Sequence, residues 1–123
     1  VLKNRYFWLA LLWTTSVIVL SLISFSKFPK VSLMPGYTDK ITHFVFYFGF
    51  VFLWGNVFLP KTQNRKNILL KVLTTAILVG ALMEILQETL TQNRTFDWLD
   101  ILANSTGAVV GILILSSIRK PIK

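Results

Sequence analysis

No cysteine occurs anywhere in the 123 residues, so disulfides and thiolate metal sites are excluded. Acids are scarce: five Asp and Glu stand against 13 Lys and Arg, and charged residues make up only 15% of the chain. A soluble domain of this size needs far more polar surface. With 54% hydrophobic residues and a mean hydropathy of +0.62, the natural solvent is lipid. Internal repeats and low-complexity stretches are also lacking. One domain over 1–123 is expected at this length. The net charge of +8 invites a nucleic-acid reading. The basic residues, however, sit between long apolar runs and form no continuous stripe. Membrane lipids, with their phosphate-bearing surface, are therefore the expected partner, and nucleic acid is not.

What the chain does have is four apolar runs near the length of about 20 residues that a spanning helix needs. They cover about 6–26, 41–59, 68–90 and 99–118. The first carries no charge and exceeds a signal-peptide core of about 7–15 residues, and no A-x-A site follows. It is expected to stay as an anchor. In lipid each backbone N–H and C=O must be satisfied within its own segment, so the runs are expected to be helices. That includes the Phe-rich "FVFYFGFVF", whose alternation mimics a strand. The linkers are short. The first contains Pro29, Pro35 and Gly36, which stop a helix. Short linkers force antiparallel neighbours. The expected fold is therefore all-α: a compact antiparallel bundle of four transmembrane helices.

Lys and Arg orient such a bundle. With the N-terminus inside, the inner loops and ends hold Lys3, Arg5, Lys61, Arg65, Lys66, Lys71, Arg119, Lys120 and Lys123. The outer side holds only Lys27, Lys30, Lys40 and Arg94. Both termini are thus expected in the cytoplasm. Tyr6, Trp8, Trp13, Trp54 and Trp98 read as interfacial anchors.

All five acids then fall at the outer side or in the outer half of the membrane: Asp39, Glu84, Glu88, Asp97 and Asp100. Glu84, Gln87 and Glu88 lie at i, i+3 and i+4, which share one helix face. Asp100, Asn104, Gly107 and Gly111 form another stripe, and His43 and Tyr47 are four apart on the second helix. A charge at the centre of a membrane helix costs about 2.5–3.5 kcal/mol. Glu84, about 9 Å from Leu90 along the axis, should therefore face the bundle and find a partner among Arg94, Lys40 and His43. Three helices are expected to aim polar groups at one shared pocket.

Each of these residues also has a plain reading. Asp39 and Asp97 suit helix caps, and Asp100 follows Asp97 as in a capping box. Gln87 can join helices, Glu88 can be solvated, and a single buried histidine is often only hydrogen-bonded. Gly107 and Gly111 form a G-x-x-x-G for close packing, either within this bundle or between copies. His43 with Glu84, Glu88 and Asp100 would suit a divalent cation. No dedicated spacing such as H-E-x-x-H supports one, and no metal or cofactor is expected.

"DKITHFVFYFGF" (Asp39–Phe50) resembles the second-helix signature of VanZ-like membrane proteins, with its Asp-Lys, following His and aromatic run. "EILQETLTQNRTFDWLDILANSTGAVVG" (Glu84–Gly111) resembles their second signature. The likeness falls on Asp39, Lys40, His43, Glu84, Gln87, Arg94, Asp97, Asp100, Asn104 and Gly107. It implies a small bacterial inner-membrane protein of the cell envelope, in a family whose namesake is associated with teicoplanin resistance. Three functions follow as expectations. The first is a binding or accessory subunit that recognises a lipid headgroup or a larger membrane complex, or that assembles with copies of itself. It would use Asp39, Lys40, Gln87, Glu88, Arg94 and Asn104. The second is an enzyme on a lipid-linked or envelope substrate, with His43 and Glu84 as acid/base candidates, Asp100 as an orienting or metal-binding group, and Lys40 and Arg94 clamping an anion. The third is a small transporter.

Overall fold

The computed structural model describes residues 5–22, 37–59, 64–90 and 98–119, the side chains of 37–39 and 90 excepted. Four helices account for nearly all of them: α1 (Arg5–Leu22), α2 (Tyr37–Phe58), α3 (Arg65–Leu90) and α4 (Trp98–Ile118). Each is long and apolar enough to cross a membrane. Even α1, with 18 residues, rises about 27 Å at 1.5 Å per residue, close to the hydrocarbon thickness of about 30 Å. The expected all-α bundle is borne out. Helices α2 and α3 start a turn before their apolar runs, at Tyr37 and Arg65. The Asn64 carbonyl accepts the Ile68 N–H at 3.2 Å, which places a favoured N-cap residue at the head of α3.

Side-chain contacts fix the directions. Gln87 donates to the Ser21 carbonyl at 2.8 Å, joining the C-terminal ends of α1 and α3. His43 meets Asn104 near the starts of α2 and α4, and Arg119 donates to Asn56 at 2.9 Å near their ends. Arg65 at the start of α3 reaches the Ser116 carbonyl at the end of α4, at 2.8 Å. Helices α1 and α3 therefore run one way, and α2 and α4 the other. Among the described residues α2 and α3 each touch the other three helices, while α1 and α4 do not meet. The section is a diamond with α2 and α3 on its short diagonal.

The bundle is apolar outside. Leu12, Leu78, Leu102 and Leu113 are among the most exposed side chains, which in lipid is no penalty because acyl chains are as apolar as leucine. The middle is apolar too. Val17, Tyr47, Phe50, Val51, Val72, Ala76 and Ala108 bring all four helices into one core, and Leu59, Leu69 and Leu115 continue it toward the Arg119 end. Phe44, Phe48 and Phe52 stack at i, i+4 and i+8 along α2, with ring centres 6.3 and 6.1 Å apart. This is the helical meaning of the alternating Phe run.

The G-x-x-x-G works within the chain. A Cβ on Gly107 would collide with the Phe44 carbonyl oxygen. One on Gly111 would meet the Val51 side chain and lie 3.0 Å from the Phe48 carbonyl oxygen. Both glycines let the backbone of α4 settle on that of α2, the closest seam in the bundle. Two of the expected interfacial tryptophans turn inward instead. Trp13 Nε1 donates to the Phe46 carbonyl at 2.8 Å, and Trp54 Nε1 donates to Thr14 Oγ1 at 2.9 Å. In a medium without water each indole N–H needs a protein acceptor, and these bonds tie α1 to α2. Trp8 and Trp98 are exposed, as anchors are.

Candidate functional site

The α2–α4 seam sets the site. Gly107 brings the helices together one turn beyond Asn104, and Gly80 lets α3 approach from the third side. A Cβ on Gly80 would lie 2.9 Å from Asn104 Nδ2 and 3.3 Å from the Tyr47 ring. Two glycines thus clear room for a polar layer at the end of the bundle formed by the starts of α2 and α4 and the last turns of α3.

Into that layer come Lys40 and His43 from α2, Glu84 and Gln87 from α3, and Asp100 and Asn104 from α4. Glu84 and Gln87 are each 1% exposed, Asp100 and Asn104 2%, and His43 6%. These are the least compatible side chains for burial in lipid, and they are nearly as well hidden as the apolar core. Among the described residues the acids Glu84 and Asp100 are inside, so the cost of desolvation must be met by contacts between them and their neighbours.

The contacts are specific. Lys40 Nζ forms an ion pair and hydrogen bond with Asp100 Oδ1. Asp100 Oδ2 lies 3.6 Å from His43 Nε2. The other ring nitrogen, Nδ1, donates to Asn104 Oδ1 at 2.8 Å. An amide oxygen can only accept, so Nδ1 carries the proton and Nε2 turns toward the carboxylates. His43, Glu84 and Asp100 each offer one nitrogen or oxygen, and these atoms lie within 4.8 Å of one another. One imidazole, two carboxylates and an ammonium therefore share a single buried point, fed by three helices. Lys40 is the outermost member, 27% exposed where Asp100 is 2%.

The structure gathers six of the residues singled out from sequence: Lys40, His43, Glu84, Gln87, Asp100 and Asn104. Glu88 is exposed on the turn after Glu84 and stands outside the buried layer. Arg94, Asp97 and the side chain of Asp39 lie outside the described residues. Lys40, expected as a candidate partner for Glu84, forms an ion pair with Asp100. Gly80 and Ser21 were not singled out. The first leaves no mark in sequence except the absence of a side chain opposite Asn104. The second contributes a backbone carbonyl, which any residue supplies.

Two apolar grooves lie elsewhere. One of about 270 Å³ runs between α1 and α2 over Leu12 and Trp13. The other, about 530 Å³, is bounded by Trp54, Phe50, Ile68 and Lys71. No residue of the polar layer lines either one.

Comparison with known families matches residues 3–119 to the VanZ/LLP1 family. No curated protein and no solved structure matches the chain. With nearly its whole length matched and four helices able to cross a membrane, the chain belongs to the VanZ/LLP1 family and is a multi-pass membrane protein.

Proposed function

We propose that this chain is a binding subunit of the bacterial inner membrane, with both termini cytoplasmic, that holds the polar part of an envelope lipid at its outer end as an accessory to cell-envelope machinery. The observation that carries this reading is the Lys40–Asp100 ion pair, with its ammonium at the rim and its carboxylate buried. An anionic headgroup arriving from the rim meets Lys40 first and can take over one of its three N–H donors. The polar layer behind it supplies further donors and acceptors at a depth where water is scarce. The excess of Lys and Arg at the opposite end supports the orientation.

The test is lipid retention. Protein purified in mild detergent is expected to carry an anionic envelope lipid, read by native mass spectrometry, and Lys40→Gln is expected to lose it while keeping its fold. Equal retention by both proteins would remove Lys40 from the site.

A second reading, an enzyme on a lipid-linked substrate, draws support from one feature. His43 is held by Asn104 with Nε2 beside the Asp100 carboxylate, the arrangement a general base needs. The two readings part on Glu84→Gln. A binding subunit keeps its lipid with that change. An enzyme keeps its lipid too but loses turnover.

A further inference from the structure

We infer that His43, Glu84 and Asp100 bind a single first-row divalent cation, of the Zn²⁺ or Mn²⁺ class. Three observations meet on this point. The first is geometric. Metal bonds of about 2.0–2.2 Å to nitrogen and oxygen put tetrahedral ligand atoms about 3.4 Å apart. His43 Nε2 and Asp100 Oδ2, at 3.6 Å, stand near that spacing already. The Glu84 oxygen completes a trio within 4.8 Å, which small rotamer changes can close. The second is the tautomer. A metal-bound histidine almost always gives its other N–H to an oxygen acceptor, which fixes the ring and aims the lone pair. Asn104 Oδ1 does this for His43 at 2.8 Å, and Gly80 makes room for the Asn104 side chain.

The third observation is charge. Among the described residues the layer holds two buried carboxylates and one ammonium, and that ammonium is the most exposed member. A divalent ion on neutral His43, Glu84 and Asp100 brings the trio to zero net charge, and Lys40 can then swing to the rim. Lys40, held on Asp100 Oδ1, is therefore a competitor of the cation for that carboxylate. One imidazole with two carboxylates suits Zn²⁺, Mn²⁺ and Fe²⁺ better than Mg²⁺ or Ca²⁺, which favour all-oxygen sites. Three protein ligands also leave a position open for water or a substrate oxygen. The inference stands on the ligand geometry and does not require a lipid to bind.

The chain has one histidine, and this makes the test direct. Full-length protein without a histidine tag is solubilised, stripped with chelator and titrated with Mn²⁺ and with Co²⁺. One ion per chain is expected, with coupling to one imidazole nitrogen in the Mn²⁺ resonance spectrum and visible d–d absorption for Co²⁺. His43→Ala and Asp100→Asn are each expected to weaken binding by more than about 100-fold. Asn104→Ala, an outer partner, is expected to weaken it by about 10–100-fold. Lys40→Met is expected to tighten it, because the competing ammonium is gone. A wild-type protein without saturable binding or without imidazole coupling overturns the inference. So does Lys40→Met binding more weakly than wild type. If the ligand variants do not fold, the wild-type spectrum and Lys40→Met still decide. Lipid retention measured on the same samples keeps this result apart from the fate of the binding-subunit reading.

Discussion

His43 and Asn104 are 61 positions apart, yet their side chains share a 2.8 Å hydrogen bond inside a bundle of apolar helices. The bond locks the imidazole, joins α2 to α4, and decides which nitrogen faces the carboxylates. Four predictions follow from it and from its surroundings.

Asn104→Ala leaves the His43 N–H buried without that acceptor, at a cost of about 1–3 kcal/mol. Unfolding of the detergent-solubilised protein is expected to shift to lower denaturant by that amount. Thr106→Val is the control. Its hydroxyl is exposed and bonds the Leu102 carbonyl of its own helix, at 2.7 Å, so little change is expected.

Gly107→Ala is expected to destabilise the bundle by about 2–3 kcal/mol, since the new methyl meets the Phe44 backbone, which cannot turn aside. Gly55→Ala should be milder. Its methyl meets the outer methyl of Leu115, while the next atom of that side chain is 3.6 Å away, and a rotamer change relieves the contact. Thermal unfolding of the two variants side by side checks the contrast.

Lys40→Met alone strips Asp100 of its ammonium and is expected to cost about 3 kcal/mol. Combining it with Asp100→Leu should recover much of that loss, because no buried charge then remains at the pair. A double-mutant cycle reads the coupling directly. Additive losses would mean that the pair contributes nothing as a pair.

Glu84→Gln and Glu88→Gln make the same chemical change one helical turn apart. The first alters a residue 1% exposed, and the second an exposed one. Divalent-ion binding is expected to fall sharply only in the first. Identical behaviour would place the cation away from the buried layer.

Much of this was readable from sequence, and the reason is the solvent. Lipid forces each apolar run to close its own backbone hydrogen bonds, so the four helices could be placed before any packing was known. It also makes a buried carboxylate so costly that Glu84 and Asp100 had to turn inward. Which partner each would take was not readable. Lys40 forms an ion pair with Asp100, because the α2–α4 seam brings the starts of those helices side by side. The tryptophans misled for a similar reason. An indole at a helix end looks the same whether it anchors in headgroups or donates to a carbonyl across the bundle. For Trp13 and Trp54 that choice rests on a backbone oxygen and a threonine hydroxyl of neighbouring helices. The G-x-x-x-G left two outcomes open, and the Phe44 and Phe48 backbones opposite it resolve them in favour of packing within the chain.

The tightest seam joins α2 to α4, two helices that are not consecutive in the chain. During synthesis α2 emerges and inserts while its mate is still unmade, and α3 must cross the bilayer in between. Until α4 arrives, Lys40 and His43 have no Asp100 or Asn104 to meet, and the nascent chain holds an ionisable helix in need of shelter. The polar layer of this small protein is thus completed only by its last helix, which brings Asp100 and Asn104 to the residues waiting on α2.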